Sequence, residues 1–207
     1  MRLLPLLALL PLSACGVVQS SAGMIPDWTR DWRQVATKDD RDRLRDWRKS
    51  FAGALDAARR SGHGAEIARE GVLLDPDAAL AGRPIPNGAY ACRVIKLGAK
   101  SAGLLDYVSY PAFACRIDQE RDLQGFAKLS GSQRQVGLIF PGDPMRQVFL
   151  GTLVLGDERE AMQYGQDKTR DVAAYVERIG PSRWRLVMPS PAFESQTDVM
   201  ELVPVRT

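Results

Sequence analysis

From residue 83 onward, short alternating apolar segments are separated by turn residues, and this pattern restricts the fold more than any other feature of the sequence. Two prolines and a glycine within residues 83–88 exclude a helix there. Hairpin turns are predicted at residues 130–132 and 180–182, and the longest strand at residues 145–155, with a bend or bulge at Gly151.

The pattern predicts about eight strands with short connections over residues 83–207, and such a succession of strands is typical of an antiparallel meander. The meander could close into a small barrel or form a strongly curled sheet, and a two-layer sandwich is the alternative. With helices preceding it, the fold class is α+β, mainly β.

The helical part is predicted at residues 36–82. Thr37 is expected to cap the first helix, and a stripe of apolar side chains spaced three or four residues apart then predicts one buried face. This stripe consists of Leu44, Trp47, Phe51, Leu55 and Ala58. A second helix is predicted at residues 65–74. We expect the helices to cover an open end or an edge of the sheet, because exposed strand edges promote aggregation.

The first fifteen residues indicate export. Arg2 precedes an apolar run at residues 3–12, which is too short to cross a bilayer and therefore predicts a signal peptide at residues 1–14. Leu12-Ser13-Ala14-Cys15 resembles the lipobox of bacterial lipoproteins. That resemblance implies lipidation of Cys15 after cleavage, and Gly16 at the next position implies the outer membrane. The alternative is an ordinary signal peptide followed by a chance cysteine.

Residues 15–35 then form the acylated cysteine and a tether of mostly small, polar residues that ends near Pro26. Trp28 and Trp32 follow, four residues apart. Their indoles could lie at the membrane interface or pack on the domain, and we favour packing.

Three cysteines are an odd number for an exported protein. Lipidation of Cys15 leaves Cys92 and Cys115, which we expect to form a disulfide in an oxidising compartment. Each lies on the apolar face of a predicted strand, and an antiparallel pairing with Cys92 opposite Cys115 would bring the two sulfurs within bridging distance. Two buried free thiols are the alternative.

Residue types that perform catalysis are scarce. His63 is the only histidine, it lies between two glycines, and no nucleophile or phosphate-loop motif is present. A metal site is not expected either, since no second thiol or histidine accompanies the cysteines. The net charge is only +3, with basic and acidic residues interleaved, which disfavours nucleic-acid binding. We therefore expect neither an enzyme nor a cofactor.

One long polar connection, residues 156–171, interrupts the predicted strands. Long loops in compact β domains often bind ligands or partners. We therefore predict a binding surface there, formed by Tyr164, Asp167, Lys168 and Arg170. The alternative is a charged excursion into solvent.

Three stretches of the C-terminal two-thirds resemble an uncharacterised bacterial family, domain of unknown function 4893. They are GLIFPG at residues 137–142, YVERIGPSRWRLV at 175–187, and PAFES at 191–195 followed by ELVP at 201–204. The resemblance implies an envelope protein and no activity, cofactor or site residue.

Two functions remain open. The first is a membrane-anchored, non-catalytic binding module on the periplasmic face of the outer membrane, which holds a small apolar ligand or an envelope protein. The second is a structural or assembly scaffold of the cell envelope.

Overall fold

The computed structural model describes residues 29–205, and in that part of the chain short helices precede a large antiparallel sheet. The helices are α1 (Trp32–Val35), α2 (Lys38–Arg45), α3 (Trp47–Arg60) and α4 (Gly64–Glu70), followed by a 3-10 turn at Gly71–Leu74. The strands are β1 (Gly88–Ala99), β2 (Tyr107–Ser109), β3 (Phe113–Glu120), β4 (Leu123–Lys128), β5 (Gln133–Phe140), β6 (Arg146–Leu155), β7 (Asp171–Gly180), β8 (Arg183–Pro189) and β9 (Ser195–Pro204).

The sheet closes into a barrel. From β3 to β9 each strand pairs antiparallel with the next, and β1 pairs with β3 on one side and with β9 on the other. β2 is an extra strand that pairs with residues 95–97 of β1, whereas β3 pairs with residues 88–92 of β1. The mainly β fold with N-terminal helices is therefore confirmed, and the meander forms a closed eight-stranded barrel.

The Cys92–Cys115 disulfide lies inside the barrel, with 5.9 Å between the two Cα atoms. The expected bridge is confirmed, but the expected register was wrong by two residues. Cys115 lies opposite Tyr90, and Cys92 lies opposite Phe113. The bridge therefore runs diagonally between strands, which is within the reach of diagonal neighbours on one face of a sheet.

Gly137 and Gly151 face each other on β5 and β6. A Cβ atom on Gly137 would lie 2.3 Å from the Leu150 carbonyl oxygen and 2.8 Å from the Phe149 ring, and one on Gly151 would lie 2.6 Å from the same ring. The expected bulge at Gly151 is absent, because β6 pairs with β5 and β7 without a shift of register at this residue. The glycine instead permits close packing against Phe149. The longest strand is β1 with 12 residues, whereas β6 has 10, so the expected order of lengths was wrong.

The helices pack on the outer face of the barrel, so the expectation that they cover an open end or an edge was wrong. A closed barrel sheet leaves no edge to cover. Phe51 and Leu55 of α3 pack with outward side chains of β1, β8 and β9, which include Ile95, Val187 and Val199. The predicted apolar stripe is confirmed, although it is divided between α2 and α3, which separate at Asp46. The Thr37 cap is confirmed, since its hydroxyl accepts a hydrogen bond from the Asp40 amide.

Trp32 is buried in a further cluster against β5 and β6, as expected for packing on the domain. Trp28, Cys15 and the signal peptide lie outside the described residues. None of the helices within residues 29–205 combines the length and apolar character that a membrane-spanning helix needs.

Candidate functional site

The two ends of the barrel differ in their connections. At one end, which we call the loop end, lie the longer connections at residues 100–106, 129–132, 156–170 and 190–194. At the opposite end, the strap end, the strand connections are short and residues 80–87 cross the opening. We call these residues the strap.

The loop end contains a small polar cluster. Lys96 is buried and forms ion pairs with Asp198 at 2.9 Å and with Glu194 at 3.1 Å. Lys128 is also buried, donates to the carbonyl oxygens of Ser130 (2.9 Å) and Gln133 (2.8 Å), and lies 3.8 Å from the centre of the Phe113 ring. These bonds hold the β4–β5 turn, so the cluster has a structural role.

Burial, together with the nearby charges of Arg134 and Lys96, lowers the pKa of the Lys128 ammonium to about 8. The cavity beside it measures about 90 Å³. A volume of this size holds a few water molecules, whereas small-molecule sites usually need several hundred Å³. The loop-end cluster is therefore a poor ligand site.

At the strap end, Ile85 closes the barrel. Its side chain is only 1% exposed and packs in the interior cluster with Ile139 and Trp184. Its amide donates to Gln147 Oε1 at 3.0 Å, and its carbonyl oxygen accepts from Gln124 Nε2 at 2.8 Å. The strap is therefore held by both backbone groups of one residue that also fills the core.

A chain of amide side chains continues across the opening. Gln147 donates to Gln124 at 3.2 Å, Gln124 donates to Asn87 at 2.6 Å, and Asn87 donates to Gln119 at 3.3 Å. Tyr90 adds a bond from its hydroxyl to the Pro86 carbonyl oxygen at 2.6 Å. In such a row each amide fixes the position of the next, since moving one side chain would break the hydrogen bonds of its neighbours. The opening of the barrel is therefore preorganised.

A cavity lies on each side of the strap, with volumes of about 360 Å³ and 700 Å³. Together we call them the strap-end groove. Five residues line both cavities: Gly82, Arg83, Pro84, Arg178 and Trp184. These volumes fall within the usual range of small-molecule sites.

The groove has an excess of positive charge. Among the described residues that line the first cavity, four are arginines and two are aspartates: Arg30, Arg83, Arg146, Arg178, Asp122 and Asp143. Arg146 lies 2.6 Å from the carboxylate of Glu177, which it shares with the buried Arg185. Arg30 and Arg83 are exposed and form no ion pair or hydrogen bond within residues 29–205.

Two buried donors in the groove also lack an acceptor. Arg178 donates through Nη2 to the Ala81 carbonyl oxygen, but its Nε has no partner in the described part of the chain. The indole Nε1 of Trp184 is likewise unpartnered there, although the residue is only 6% exposed. Buried donors are normally satisfied by a protein group or an ordered water, and both residues that carry these donors line the two cavities.

Tyr164, the residue expected to contact a ligand, is instead buried between the 156–170 loop and α2. Its hydroxyl donates to Asp40 and accepts from the Thr37 amide at 3.1 Å. Burial and the adjacent Asp40 charge raise the pKa of the Tyr164 phenol well above its ordinary value. Its role here is to fix the loop on the helix.

The other three expected contacts remain in the loop. Asp167 accepts from Thr169, Arg170 forms two bonds of 2.9 Å with Glu158, and Lys168 is exposed. None of the four lines the strap-end groove. Sequence reasoning missed the groove because its arginines are far apart in the chain, although an isoleucine between two prolines in the strap was a signal.

His63 stacks on Tyr107, with 5.4 Å between ring centres. Across residues 29–205, no three His, Cys, Asp or Glu side chains are grouped so that they could hold a metal ion.

Comparison with known families agrees with the fold boundaries. The model of the family described as Domain of unknown function (DUF4893) matches residues 32–202, from the first helix into the last strand. The chain belongs to this family. The match includes the strap and the strands that form the groove, while the family's description assigns it no activity. Neither a curated protein nor a solved structure matches the chain.

Proposed function

We propose that this chain is a lipoprotein of the bacterial outer membrane, attached by acyl chains on Cys15, with its domain on the periplasmic face. Support comes from the lipobox-like Leu12-Ser13-Ala14-Cys15 and the short apolar run before it. The disulfide inside the barrel suits an oxidising compartment. Two or more acyl chains make membrane attachment stable, whereas a single chain binds only marginally.

The anchor is tested by palmitate labelling and membrane fractionation. Wild-type protein should incorporate label and sediment with the outer membrane, and Cys15→Ser should do neither. A matched Cys115→Ser variant should still be labelled. Unlabelled wild-type protein, or label that persists in Cys15→Ser, would refute the anchor.

We further propose that the domain is a non-catalytic binding module whose ligand occupies the strap-end groove. The observation that supports this function best is the pairing of a cavity of ligand size with unpartnered donors, Arg83 and the Trp184 indole. The interior above the groove is filled by side chains, so the ligand would bind at the mouth of the barrel.

Native mass spectrometry tests the binding role. All three hydrophobic clusters and the closed sheet lie within residues 29–205, so a soluble exported chain of residues 16–207 contains the whole described fold. It should retain a ligand-sized mass after desalting. Met145→Trp, at the rim of the groove, should lose that mass, while Met162→Trp, a similarly exposed methionine elsewhere, should keep it.

A scaffolding role is the second candidate, and exposed apolar side chains at the loop end favour it. Leu105 is 67% exposed and Leu129 is 55% exposed. If this surface holds an envelope assembly, Leu105→Asp with Leu129→Asp should remove the protein from a high-mass envelope complex. Met145→Trp should leave such a complex intact.

A further inference from the structure

We infer that the ligand of the strap-end groove is an anionic amphiphile, in which a carboxylate or phosphate group is joined to an apolar chain. This inference rests on the proposed binding function and adds the chemical class of the ligand.

The positive charge of the groove favours an anion. The guanidinium groups of Arg30 and Arg83 form no ion pair within the described residues, and both line the first cavity. Arginine presents a planar pair of donors that matches carboxylate and phosphate oxygens. A cationic ligand would face three arginines that Glu177 does not neutralise, with only Asp122 and Asp143 to offset them.

The unpartnered buried donors point to the same chemistry. Arg178 Nε and Trp184 Nε1 can only donate hydrogen bonds, and neither has an acceptor in residues 29–205. Arg83 lines both cavities together with them. An anionic head group held by the exposed Arg83 would supply the acceptors that both nitrogens lack, once a small side-chain movement exposes these buried atoms to the groove.

The apolar chain of the inferred ligand is argued from the apolar side chains that line the cavities. Ile85, Ile139 and Trp184 form an apolar floor for the first cavity, and Leu80 and Met145 on its rim are 43% and 40% exposed. A free inorganic anion would leave Leu80 and Met145 uncovered, whereas an alkyl chain lying over the already buried floor would remove these two side chains from water. The second cavity continues past Tyr90 and Pro204 toward the exposed Val205, which lengthens the path for such a chain.

The test is calorimetric titration of the exported chain of residues 16–207 with four probes. Decanoate is the anionic amphiphile, decyltrimethylammonium and decyl maltoside carry an alkyl chain one carbon longer on other head groups, and inorganic phosphate is the anion without a chain. Decanoate should bind most tightly, and added salt should weaken it by screening. Arg83→Gln should weaken decanoate binding about tenfold, since a hydrogen bond to a charged group is lost.

The matched control is Arg60→Gln, which removes an exposed arginine at the end of α3 and should leave the affinity unchanged. Trp184→Phe, which keeps an aromatic ring but removes the N–H, should also weaken decanoate binding. Thermal unfolding of each variant shows whether the fold is retained. The inference would be overturned if Arg83→Gln and Arg60→Gln weakened decanoate binding equally.

The remaining outcomes separate the inference from the proposed function. Equal binding of decanoate and decyl maltoside would overturn the anionic head group while leaving a binding groove. Phosphate that binds as tightly as decanoate would overturn the apolar chain. If no probe binds, the inference fails, and a ligand mass retained in the native spectrum would still support the binding module.

Discussion

At the scale of single residues, two glycines determine how closely β5 and β6 approach. Any side chain at Gly137 would meet the Leu150 carbonyl oxygen and the Phe149 ring. Backbone atoms cannot move aside as a flexible side chain can, so the position accepts only hydrogen.

We expect Gly137→Ala to lower the free energy of unfolding by about 3 kcal/mol, because the added methyl forces the two strands apart. Gly64→Ala is the control, since a Cβ atom there meets nothing within 4 Å. Urea denaturation with the disulfide intact measures both. A loss below about 0.5 kcal/mol for Gly137→Ala, the range of ordinary surface substitutions, would contradict the packing described for β5 and β6.

Asp171 is a buried carboxyl with one unsatisfied oxygen. Its Oδ1 accepts from the Gly165 amide at 2.8 Å, but Oδ2 has no partner within residues 29–205. Burial, to which the charge of Asp40 adds, raises the pKa of Asp171 from 3.8 to about 6. Between these two values the folded protein holds a proton that the unfolded chain releases, so this group makes the fold less stable as the pH rises through that window.

We therefore expect Asp171→Asn to stabilise the protein by about 1 kcal/mol at neutral pH, with the gain disappearing near pH 4. Thermal unfolding at both pH values measures the difference. Asp157→Asn, at an exposed site, should have little effect at either pH. A gain that is the same at both pH values would show that Asp171 does not titrate as described.

At the scale of elements, the strap is the segment that separates the core from the groove. Pro84 and Pro86 flank Ile85 and have no amide hydrogen, so Ile85 supplies the backbone donor among these three residues. Its amide donates a hydrogen bond to Gln147. The side chain of Ile85 then fills the end of the barrel interior.

We expect Ile85→Ala to lower the free energy of unfolding by about 3 kcal/mol, because it leaves a cavity at the end of the core. Leu80→Ala, on the exposed part of the same strap, should cost no more than about 0.5 kcal/mol. Chemical denaturation measures both, and limited proteolysis should cut the strap faster only in Ile85→Ala. If the two variants were equally stable, the side chain of Ile85 would not close the end of the barrel as described.

Local signals in the sequence predicted most of the elements. Residues 130–132 and 180–182 form tight turns because glycine, serine and proline restrict the backbone to turn conformations, and both hairpins were predicted. The stripe from Leu44 to Ala58 predicted the buried helix face. The diagonal position of the disulfide was not predicted, because a shift of two residues keeps the same side chains on the inner face.

The candidate site could not be predicted in this way. Arg30, Arg83 and Arg178 come together only when the barrel closes and the strap crosses its mouth. Tyr164 was expected at a surface because its loop is polar, yet its phenol meets Asp40 on a helix more than a hundred residues earlier in the chain. Contacts of this kind depend on tertiary packing, which residue spacing does not encode.

At the scale of the whole molecule, β1 holds the barrel closed through two kinds of connection. It pairs with β9 along most of its length, and the Cys92–Cys115 bridge ties it to β3. A bridge across a separation of 23 residues stabilises the folded state by about 3.4 kcal/mol in the chain-entropy model.

We expect Cys92→Ser with Cys115→Ser to fold but to lose about that free energy, since the β1–β9 pairing remains. Denaturation of the double variant beside oxidised and reduced wild-type protein measures the loss. Reduced wild-type protein should resemble the double variant. A double variant as stable as the oxidised protein would show that the bridge contributes nothing to barrel closure.

The central claim is that the strap end of the barrel is the surface that binds. Hydrogen–deuterium exchange of the exported chain, with and without decanoate, tests it most directly because it reports both ends of the barrel at once. The expected result is slower exchange in peptides from residues 80–87, 141–147 and 178–184, with the loop end unchanged. Slower exchange confined to residues 100–106, 129–132 and 190–194 would contradict the claim, whereas no change anywhere would contradict the anionic amphiphile inferred as the ligand.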